Sequence, residues 1–253
     1  MNARLIDRDT SNPRWIREKV AFRAPYGAED TFVYLFLPVA VRPPFQPVVY
    51  FPGATAQRQR SPEELQTRMI DFVVQSGRAV VYPIYTGTHE RRLDAIPTDD
   101  TRAGVDSTAR LVSDLQRTVD YLETRNDVRM DALAYYGFSW GAQLAPLFLA
   151  LETRFRAAVL LDGGLDAGGR RPEINRAGYA PRVRIPVLMI NGSYDATFQL
   201  ESSQKPLFAL LGASPEDKRH ILYPTGHSVF TAYRNQAIQN ILDWLDRYSR
   251  PSP

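Results

Sequence analysis

The sequence contains no cysteine, and this absence excludes disulfide bonds, thiolate nucleophiles and cysteine-rich metal sites. It also lacks any run of the roughly 18 apolar residues that a membrane-spanning helix requires. The N-terminal residues carry charges with no apolar run behind them, unlike a signal peptide. We therefore expect a soluble protein without membrane insertion. A cytoplasmic location is favoured, although a cysteine-free chain fits both redox regimes.

Neither sign of charge dominates the chain, which has 31 basic and 28 acidic residues and a formal net charge of +3. Neighbouring arginines occur at three separated places, Arg58 with Arg60, Arg91 with Arg92, and Arg170 with Arg171. Separated pairs are typical of solvated loops, whereas nucleic-acid binding needs a continuous basic stripe. The expected partner is therefore a small molecule and not a nucleic acid, and the oligomeric state is left open.

The composition is that of a globular protein, with 44% hydrophobic and 11% aromatic residues in 253 positions. A chain of this length can bury one large core. Neither a Ser/Gly-rich linker nor an internal repeat interrupts it, and α/β folds often reach this size as one unit. We predict a single domain over residues 1–253.

The N-terminal part predicts a β-hairpin, with strands at 15–22 and 31–37 around a polar turn. The apolar run 47–51 predicts a strand buried on both faces. A helix should begin at Ser61-Pro62-Glu63-Glu64, where a capping serine, a proline at the first helical position and a capping-box glutamate coincide. It should end near Gly77.

Strands and helices then alternate along the rest of the chain. Strands are predicted at 78–83, 132–138, 157–161, 185–190 and 219–223, and helices at 105–124, 140–151, 200–211 and 229–248. Such alternation predicts an α/β fold with a mostly parallel central sheet and helices on both faces, here with an N-terminal antiparallel hairpin. In these sheets, sites form at the carboxyl ends of the strands.

Ser139 is the first candidate at such an end, within Gly137-Phe138-Ser139-Trp140-Gly141. The pattern G-x-S-x-G between a strand and a helix is typical of a nucleophile elbow, in which the glycines make room for a strained turn. A plain turn with a capping serine is the alternative. The strand and helix context favours a nucleophilic serine.

A serine nucleophile needs a base, and the chain has three histidines. His227 follows the last predicted strand, where a loop residue can reach the carboxyl edge, so it is the expected base, although a histidine there could also cap the next helix. His220 lies within that strand and is expected to be structural. His89 lies in a loop before Ser139 and is expected at the surface or at the rim of the substrate site.

An imidazole base needs a carboxylate to fix its tautomer. Asp195 follows a predicted strand, and the chain order Ser139, Asp195, His227 is that of the α/β-hydrolases. An Asx-turn is the alternative role for Asp195. Asp162, at the end of another strand, is the rival acid, and we weigh Asp195 above it.

Acyl transfer also needs hydrogen-bond donors for the oxyanion. The backbone amide of Trp140, directly after the nucleophile, is one candidate. The second is the amide of Ala54, which follows Pro52-Gly53 at the end of a strand. Tyr85 and Phe198 are candidates for apolar walls that contact the substrate, and Trp140 could contribute to the same surface. Aromatic packing is the equally weighted alternative at each position.

Together these segments resemble the α/β-hydrolase superfamily, particularly its dienelactone hydrolase and acetyl-esterase-like branches, over nearly the whole chain. The likeness is carried by Gly137-Phe138-Ser139-Trp140-Gly141, Asn191-Gly192-Ser193-Tyr194-Asp195 and Gly226-His227. Tyr50-Phe51-Pro52-Gly53, with Gly77-Arg78-Ala79-Val80, Tyr82-Pro83 and Tyr85, also resembles hydrolase modules at the end of large bacterial kinase-type polypeptides. The His-Gly-Gly-Gly oxyanion segment of hormone-sensitive-lipase-like esterases is not present.

The expected function is hydrolysis of carboxylic esters through a Ser-His-Asp triad and an acyl-enzyme, with no metal or organic cofactor. The connection between Asp162 and Ile185 is too short for a large helical lid, which favours small or short-acyl esters. A peptidase or thioesterase would use the same triad, and a non-catalytic or regulatory module is the remaining alternative.

Overall fold

The computed structural model describes residues 2–60, 65–166, 168 and 170–248. Within these residues the chain packs as two units, the first drawn from 2–50 and 55–133, the second from 51–54 and 134–248. Each unit has its own buried apolar side chains. That residues 1–253 form a single domain stays a prediction.

The first unit contains strands β1 (Arg4–Asp9), β2 (Trp15–Arg23), β3 (Asp30–Pro38), β4 (Pro47–Phe51, whose last residue belongs to the second unit) and β5 (Ala79–Ile84). They lie in the order β1-β2-β3-β5-β4, antiparallel except for the parallel pair β5 and β4. The predicted hairpin is thus present as β2 and β3. Strand β1 was not predicted, because its exposed charged sequence has no apolar alternation, and only its pairing with β2 makes it a strand.

Two α-helices belong to the first unit. Helix α1 (Asp71–Gln75) ends before Gly77, whose φ of +91° is left-handed. The predicted helix start at Ser61–Glu64 lies outside the described residues. The continuous helix expected from there to Gly77 was wrong, because residues 65 and 66 are not helical and Thr67–Met69 form a 3-10 turn before α1. Helix α2 (Arg102–Glu123) begins before the predicted residue 105, because the Thr101 hydroxyl accepts a hydrogen bond from the Gly104 amide and caps the helix.

Two expectations about exposed residues in this unit were wrong. Arg91 is buried, and its guanidinium contacts the Asp114 carboxylate of α2 at 2.7 Å, so it is not a solvated loop residue. His89 is only 1% exposed, and its Nε2 lies 3.3 Å from the Tyr82 hydroxyl, so it is not a surface residue, while its place at the rim of the substrate site stays a prediction. In both cases the partner lies in a predicted element, β5 or α2, but only the tertiary structure brings it against the loop residue.

The second unit alternates strands and helices in the order β6 (Ala134–Phe138), α3 (Trp140–Leu151), β7 (Ala157–Leu161), α4 (Arg176–Tyr179), β8 (Val187–Gly192), α5 (Lys205–Leu210), β9 (Lys218–Tyr223), α6 (Val229–Ala232) and α7 (Arg234–Tyr248). All pairs of neighbouring strands from β6 to β9 are parallel. Every residue of β7 and β8 is buried, as their continuous apolar runs predict. This confirms the α/β class with a mostly parallel sheet and N-terminal antiparallel strands.

Two predicted helices of this unit are interrupted. The segment 200–211 begins as a π-helical turn over Leu200–Gln204 before α5, and the side-chain amide of Gln204 donates to the carbonyls of Gly192 and Phe198 at 2.9 and 2.7 Å. The segment 229–248 is divided into α6 and α7 at Tyr233. Among the described residues, no helix is long and apolar enough to cross a membrane.

Candidate active site

Ser139 lies between β6 and α3 in a backbone conformation that only a sharp turn imposes, with φ +51° and ψ −103°. The glycines on either side are sterically required. A Cβ on Gly137 would lie 2.7 Å from the carbonyl carbon of Gly141, and one on Gly141 would collide with the carbonyl oxygen of Phe51. The motif therefore forms the strained strand-to-helix turn that its sequence predicts.

The backbone around Ser139 fixes the direction of its side chain. Its amide donates to the carbonyl of Leu161 in β7 at 2.8 Å, and its carbonyl accepts from the Gln143 amide in α3 at 2.9 Å. With the main chain held on both sides, Oγ of Ser139 lies 2.9 Å from Nε2 of His227. The predicted nucleophile and base are thus within hydrogen-bond distance.

The other ring nitrogen of His227, Nδ1, lies 2.8 Å from Oδ2 of Asp195. The second oxygen of Asp195, Oδ1, accepts the backbone amides of Thr197 at 2.7 Å and Phe198 at 3.1 Å. Asp195 therefore forms an Asx-type turn with one oxygen and contacts the imidazole with the other. The two roles that the sequence presents as alternatives are both occupied, because a carboxylate has two oxygens.

The surroundings of His227 favour its charged form. The hydrogen bond to Asp195 raises the pKa of the imidazole, against the opposing effect of burial, and the negative charges of Asp195 and Asp162 raise it further. A proton held on Nδ1 by Asp195 leaves Nε2 to accept the hydroxyl proton of Ser139. This is the tautomer that a general base requires.

Two aromatic rings lie beside the imidazole. The Phe138 ring stacks on it with centroids 6.3 Å apart, and the Phe198 ring lies 5.9 Å away at a tilt of 48°. Phe198 thus lies beside the ring of His227, while its contact with substrate stays a prediction. The contact of Phe138 was not predicted from the sequence, although its position directly before Ser139 is a signal that could have indicated it.

The oxyanion candidates are Ala54, which follows Gly53, and Trp140, which follows the nucleophile in the chain. A Cβ on Gly53 would lie 3.5 Å from the Ser139 Cβ, which brings the backbone that leads into Ala54 against the serine. Trp140 opens α3, and its ring meets Phe51 edge to face at 5.0 Å. The donor roles of the Ala54 and Trp140 amides stay predictions.

Asp162 directly follows β7 with φ +52°, and its side chain is fully buried. Its two carboxylate oxygens lie 3.0 and 3.3 Å from the backbone nitrogen of Val229, two residues beyond His227. Burial raises the pKa of Asp162 to about 7, even though the charge of His227 and the hydrogen bond from Val229 lower it. The rival acid therefore lies near the base, but it contacts the loop of His227 while Asp195 contacts the ring.

The remaining candidates lie elsewhere. His220 lies in β9, where its Nε2 is 3.1 Å from Oδ1 of Asn191, and burial, aided by Lys205, lowers its pKa to about 4. It is a neutral structural residue at neutral pH. Tyr85 lies fully buried in the first unit, where its carbonyl accepts the amide and hydroxyl of Thr88. Its contact with substrate stays a prediction.

The family model of the dienelactone hydrolase family matches residues 34–248 of the chain. No curated protein matches it. A cold-adapted esterase from an Arctic intertidal metagenomic library, solved with bound polyethylene glycol, superposes with a TM-score of 0.73 at 17% identity. That match covers 97% of this chain and 100% of the esterase.

Two further esterases share the architecture. The acetyl xylan esterase of Paenibacillus sp. R4 has a TM-score of 0.69 at 16% identity, covering 98% of this chain and 89% of its own. An esterase of Pyrococcus furiosus has a TM-score of 0.70 at 15% identity, covering 93% and 94%. At such low identities the likeness shows the fold, which is that of the α/β-hydrolases.

Proposed function

Because the chain belongs to the dienelactone hydrolase family, we propose that it is a serine hydrolase of the carboxylesterase type that cleaves small carboxylic esters. The family and the esterase neighbours support ester hydrolysis as the activity. One observation carries the assignment to residues. It is the series of contacts from Oγ of Ser139 to Nε2 of His227 at 2.9 Å and from Nδ1 to Asp195 at 2.8 Å.

In the first step, Oγ of Ser139 attacks the ester carbonyl carbon while Nε2 of His227 takes its proton. The carbonyl oxygen becomes an oxyanion, for which the amides of Ala54 and Trp140 are the proposed donors. The imidazolium then gives its proton to the departing alcohol as the carbon–oxygen bond of the ester breaks. The products of this step are an alcohol and an acyl-Ser139 ester.

In the second step, a water molecule takes the place of the alcohol. His227 removes one of its protons as the water oxygen attacks the acyl carbon. The bond between that carbon and Oγ of Ser139 then breaks, the imidazolium returns the proton to Oγ, and the carboxylic acid leaves. Asp195 keeps its contact with Nδ1 throughout and stabilises the imidazolium of both steps. No redox change occurs, and none of these transfers requires a metal or an organic cofactor.

The test combines turnover with covalent labelling. The wild type should hydrolyse p-nitrophenyl acetate, and a fluorophosphonate probe should label the peptide that contains Ser139. Ser139→Ala should lose both, with turnover reduced by roughly 10⁴-fold or more. Ser202→Ala is the matched control, because Ser202 lies on the second unit with its hydroxyl bonded to Gln199. Labelling of another residue, or full turnover by a folded Ser139→Ala, would overturn the proposal.

The proposal extends to acyl length. The one α-helix described between β7 and β8 is the four-residue α4, which supplies little apolar surface to cover a long acyl chain. Each methylene contributes about 0.8 kcal/mol only when it is enclosed. The kcat/KM should therefore be highest for acetate and butyrate esters and fall beyond roughly eight carbons. An optimum at palmitate, or activation at an oil–water interface, would contradict it.

A further inference from the structure

Asp162 is held in a conformation that a buried aspartate rarely adopts. It has φ +52°, next to Ser139 with φ +51°, and the two residues directly follow the neighbouring parallel strands β7 and β6. The amide of Asp162 is fixed by a 2.8 Å hydrogen bond to the carbonyl of Ile190 in β8. Left-handed backbone at a non-glycine residue persists only where the surrounding structure imposes it, and such residues concentrate at functional sites.

The carboxylate of Asp162 is directed at the loop that carries His227. It accepts the amide of Val229 through both oxygens and also receives the amide of Ser228. Ser228 has φ +86°, so the chain turns sharply directly after the imidazole. The backbone amides of the two residues after His227 are thus held by one buried side chain, that of Asp162, which follows β7.

The charges around Asp162 are those of the triad. His227, in the loop after β9, attracts its negative charge, and Asp195, in the loop after β8, repels it. In return, Asp162 raises the pKa of His227, in addition to the larger effect of Asp195. The imidazole therefore faces two carboxylates, one that its ring touches and one that its loop touches.

We propose that Asp162 is a positioning residue of the active site, which fixes His227 through the amides of Ser228 and Val229 and stabilises its imidazolium form. The part of this proposal that concerns rate rests on the proposed function. The coupling between the carboxylate and the imidazole does not, because it exists in the resting protein. An imidazolium forms in both the acylation and the deacylation step, so a nearby negative charge lowers both barriers.

The first experiment measures the coupling without any turnover. The imidazole resonances of the three histidines are titrated by NMR in the wild type and in Asp162→Asn. The asparagine retains an oxygen that accepts the Val229 amide, but it has no charge. The pKa of His227 should fall by about one unit, while His220, bonded to Asn191, serves as the internal reference and should not move.

The control variant is Asp166→Asn, which removes the same charge from the same loop. The carboxylate of Asp166 accepts a hydrogen bond from the Arg170 guanidinium at 2.6 Å. The substitution Asp166→Asn should therefore leave the titration of His227 unchanged. An equal shift in both variants would show a diffuse charge effect and overturn the proposal, as would an unchanged His227 in Asp162→Asn.

The wild type alone supplies a measurement that does not depend on a variant folding. If the two groups are coupled, the His227 resonance should follow two titration steps, one for each group. A single step would count against the proposal.

The second experiment uses kinetics. In Asp162→Asn the acid limb of the pH profile of kcat/KM should move to lower pH by about one unit, as the pKa of His227 does. On the plateau, kcat should fall about tenfold while KM stays unchanged. A merely structural residue would lower the amount of active protein without moving the limb. If the wild type hydrolyses no ester, the proposed function fails, and the NMR coupling still decides the role of Asp162.

Discussion

Two fully buried aspartates, one in each unit, have opposite surroundings. Asp114 lies inside α2, where its carboxylate meets the Arg91 guanidinium at 2.7 Å, the Thr86 amide at 2.7 Å and the Tyr26 hydroxyl. Burial opposes the charge of Arg91, but Asp114 and Tyr26 outweigh it and raise the pKa of the guanidinium. The guanidinium therefore stays charged beside Asp114. Burial raises the pKa of Asp114 as well, but the charge of Arg91 and the hydrogen bonds from Tyr26, Thr86 and Arg91 oppose this rise.

Asp162 has no such pairing to a guanidinium among its described contacts. It accepts the backbone amide of Val229 and interacts with the half-buried imidazole of His227 only through its charge. Its backbone is left-handed, and burial raises its pKa to about 7. A group with these properties lowers the stability of the fold, whereas the Asp114 network supports it. The comparison teaches that burial alone does not distinguish a structural carboxylate from a functional one, and that strain and incomplete charge pairing do.

The largest effect is expected from a third carboxylate, Asp195, which touches the imidazole itself. Asp195→Asn should lower kcat by about 10⁴-fold, because the amide allows the wrong tautomer of His227. Steady-state kinetics with p-nitrophenyl acetate measure it beside Asp162→Asn, for which a loss of about tenfold is expected. A greater loss in Asp162→Asn than in Asp195→Asn would make Asp162 the triad acid.

The next effect concerns the stability of the first unit. Asp114→Asn leaves the Arg91 guanidinium buried without its counter-charge, which typically costs about 3 to 5 kcal/mol. Chemical denaturation should show this loss in the free energy of unfolding. Asp120→Asn, on the same helix with a side chain 43% exposed, is the control and should change stability by less than about 1 kcal/mol. Equal losses in the two variants would show that the buried network contributes no more to the free energy of unfolding than an exposed ion pair.

The smallest effect has the opposite sign. The folded-state pKa of Asp162 lies above the usual 3.8, at about 7, so ionising it costs stability as pH rises through this range, up to about 4 kcal/mol at pH 8. Asp162→Asn removes that cost, but it buries an amide donor, which lowers the free energy of unfolding by about 1 to 3 kcal/mol. A net gain of about 1 to 3 kcal/mol, or a few degrees in Tm, should therefore appear at pH 8.

This gain should shrink as the pH falls and become a loss of about 1 to 3 kcal/mol near pH 4, where the wild-type carboxyl is already neutral and only the cost of the buried amide donor remains. Thermal unfolding of both proteins across this range provides the measurement. A variant that is less stable than the wild type at pH 8 would show that the ionised carboxylate stabilises the fold, and would remove the contrast between Asp162 and Asp114.

Much of the candidate site could be predicted from the sequence, because its signals are local. The glycines around Ser139 are required by contacts within a few residues, between Gly137 and Gly141 for example. His227 and Asp195 each follow a short apolar run, and the end of a parallel strand is where such a residue meets the others. The 2.9 Å contact between Ser139 and His227 joins two residues that the sequence places at the ends of predicted strands.

Other features depend on residues distant in the sequence. The exposed strand β1 exists only through its pairing with β2. The burial of Arg91 depends on Asp114, 23 positions away. Asp162 was one of two possible acids in the sequence, and its contact with the amide of Val229 spans 67 positions.

The sequence by itself determined the alternation of strands and helices after β3, the turn at Ser139 and the candidate base, because apolar runs, glycine sterics and loop positions act between neighbouring residues. Only the tertiary structure decided which carboxylate meets the ring of His227 and which meets its loop. The physical reason is that hydrogen bonds from Asp195 and Asp162 are directional and short. Their partners follow from how neighbouring strand ends pack, which no local pattern encodes.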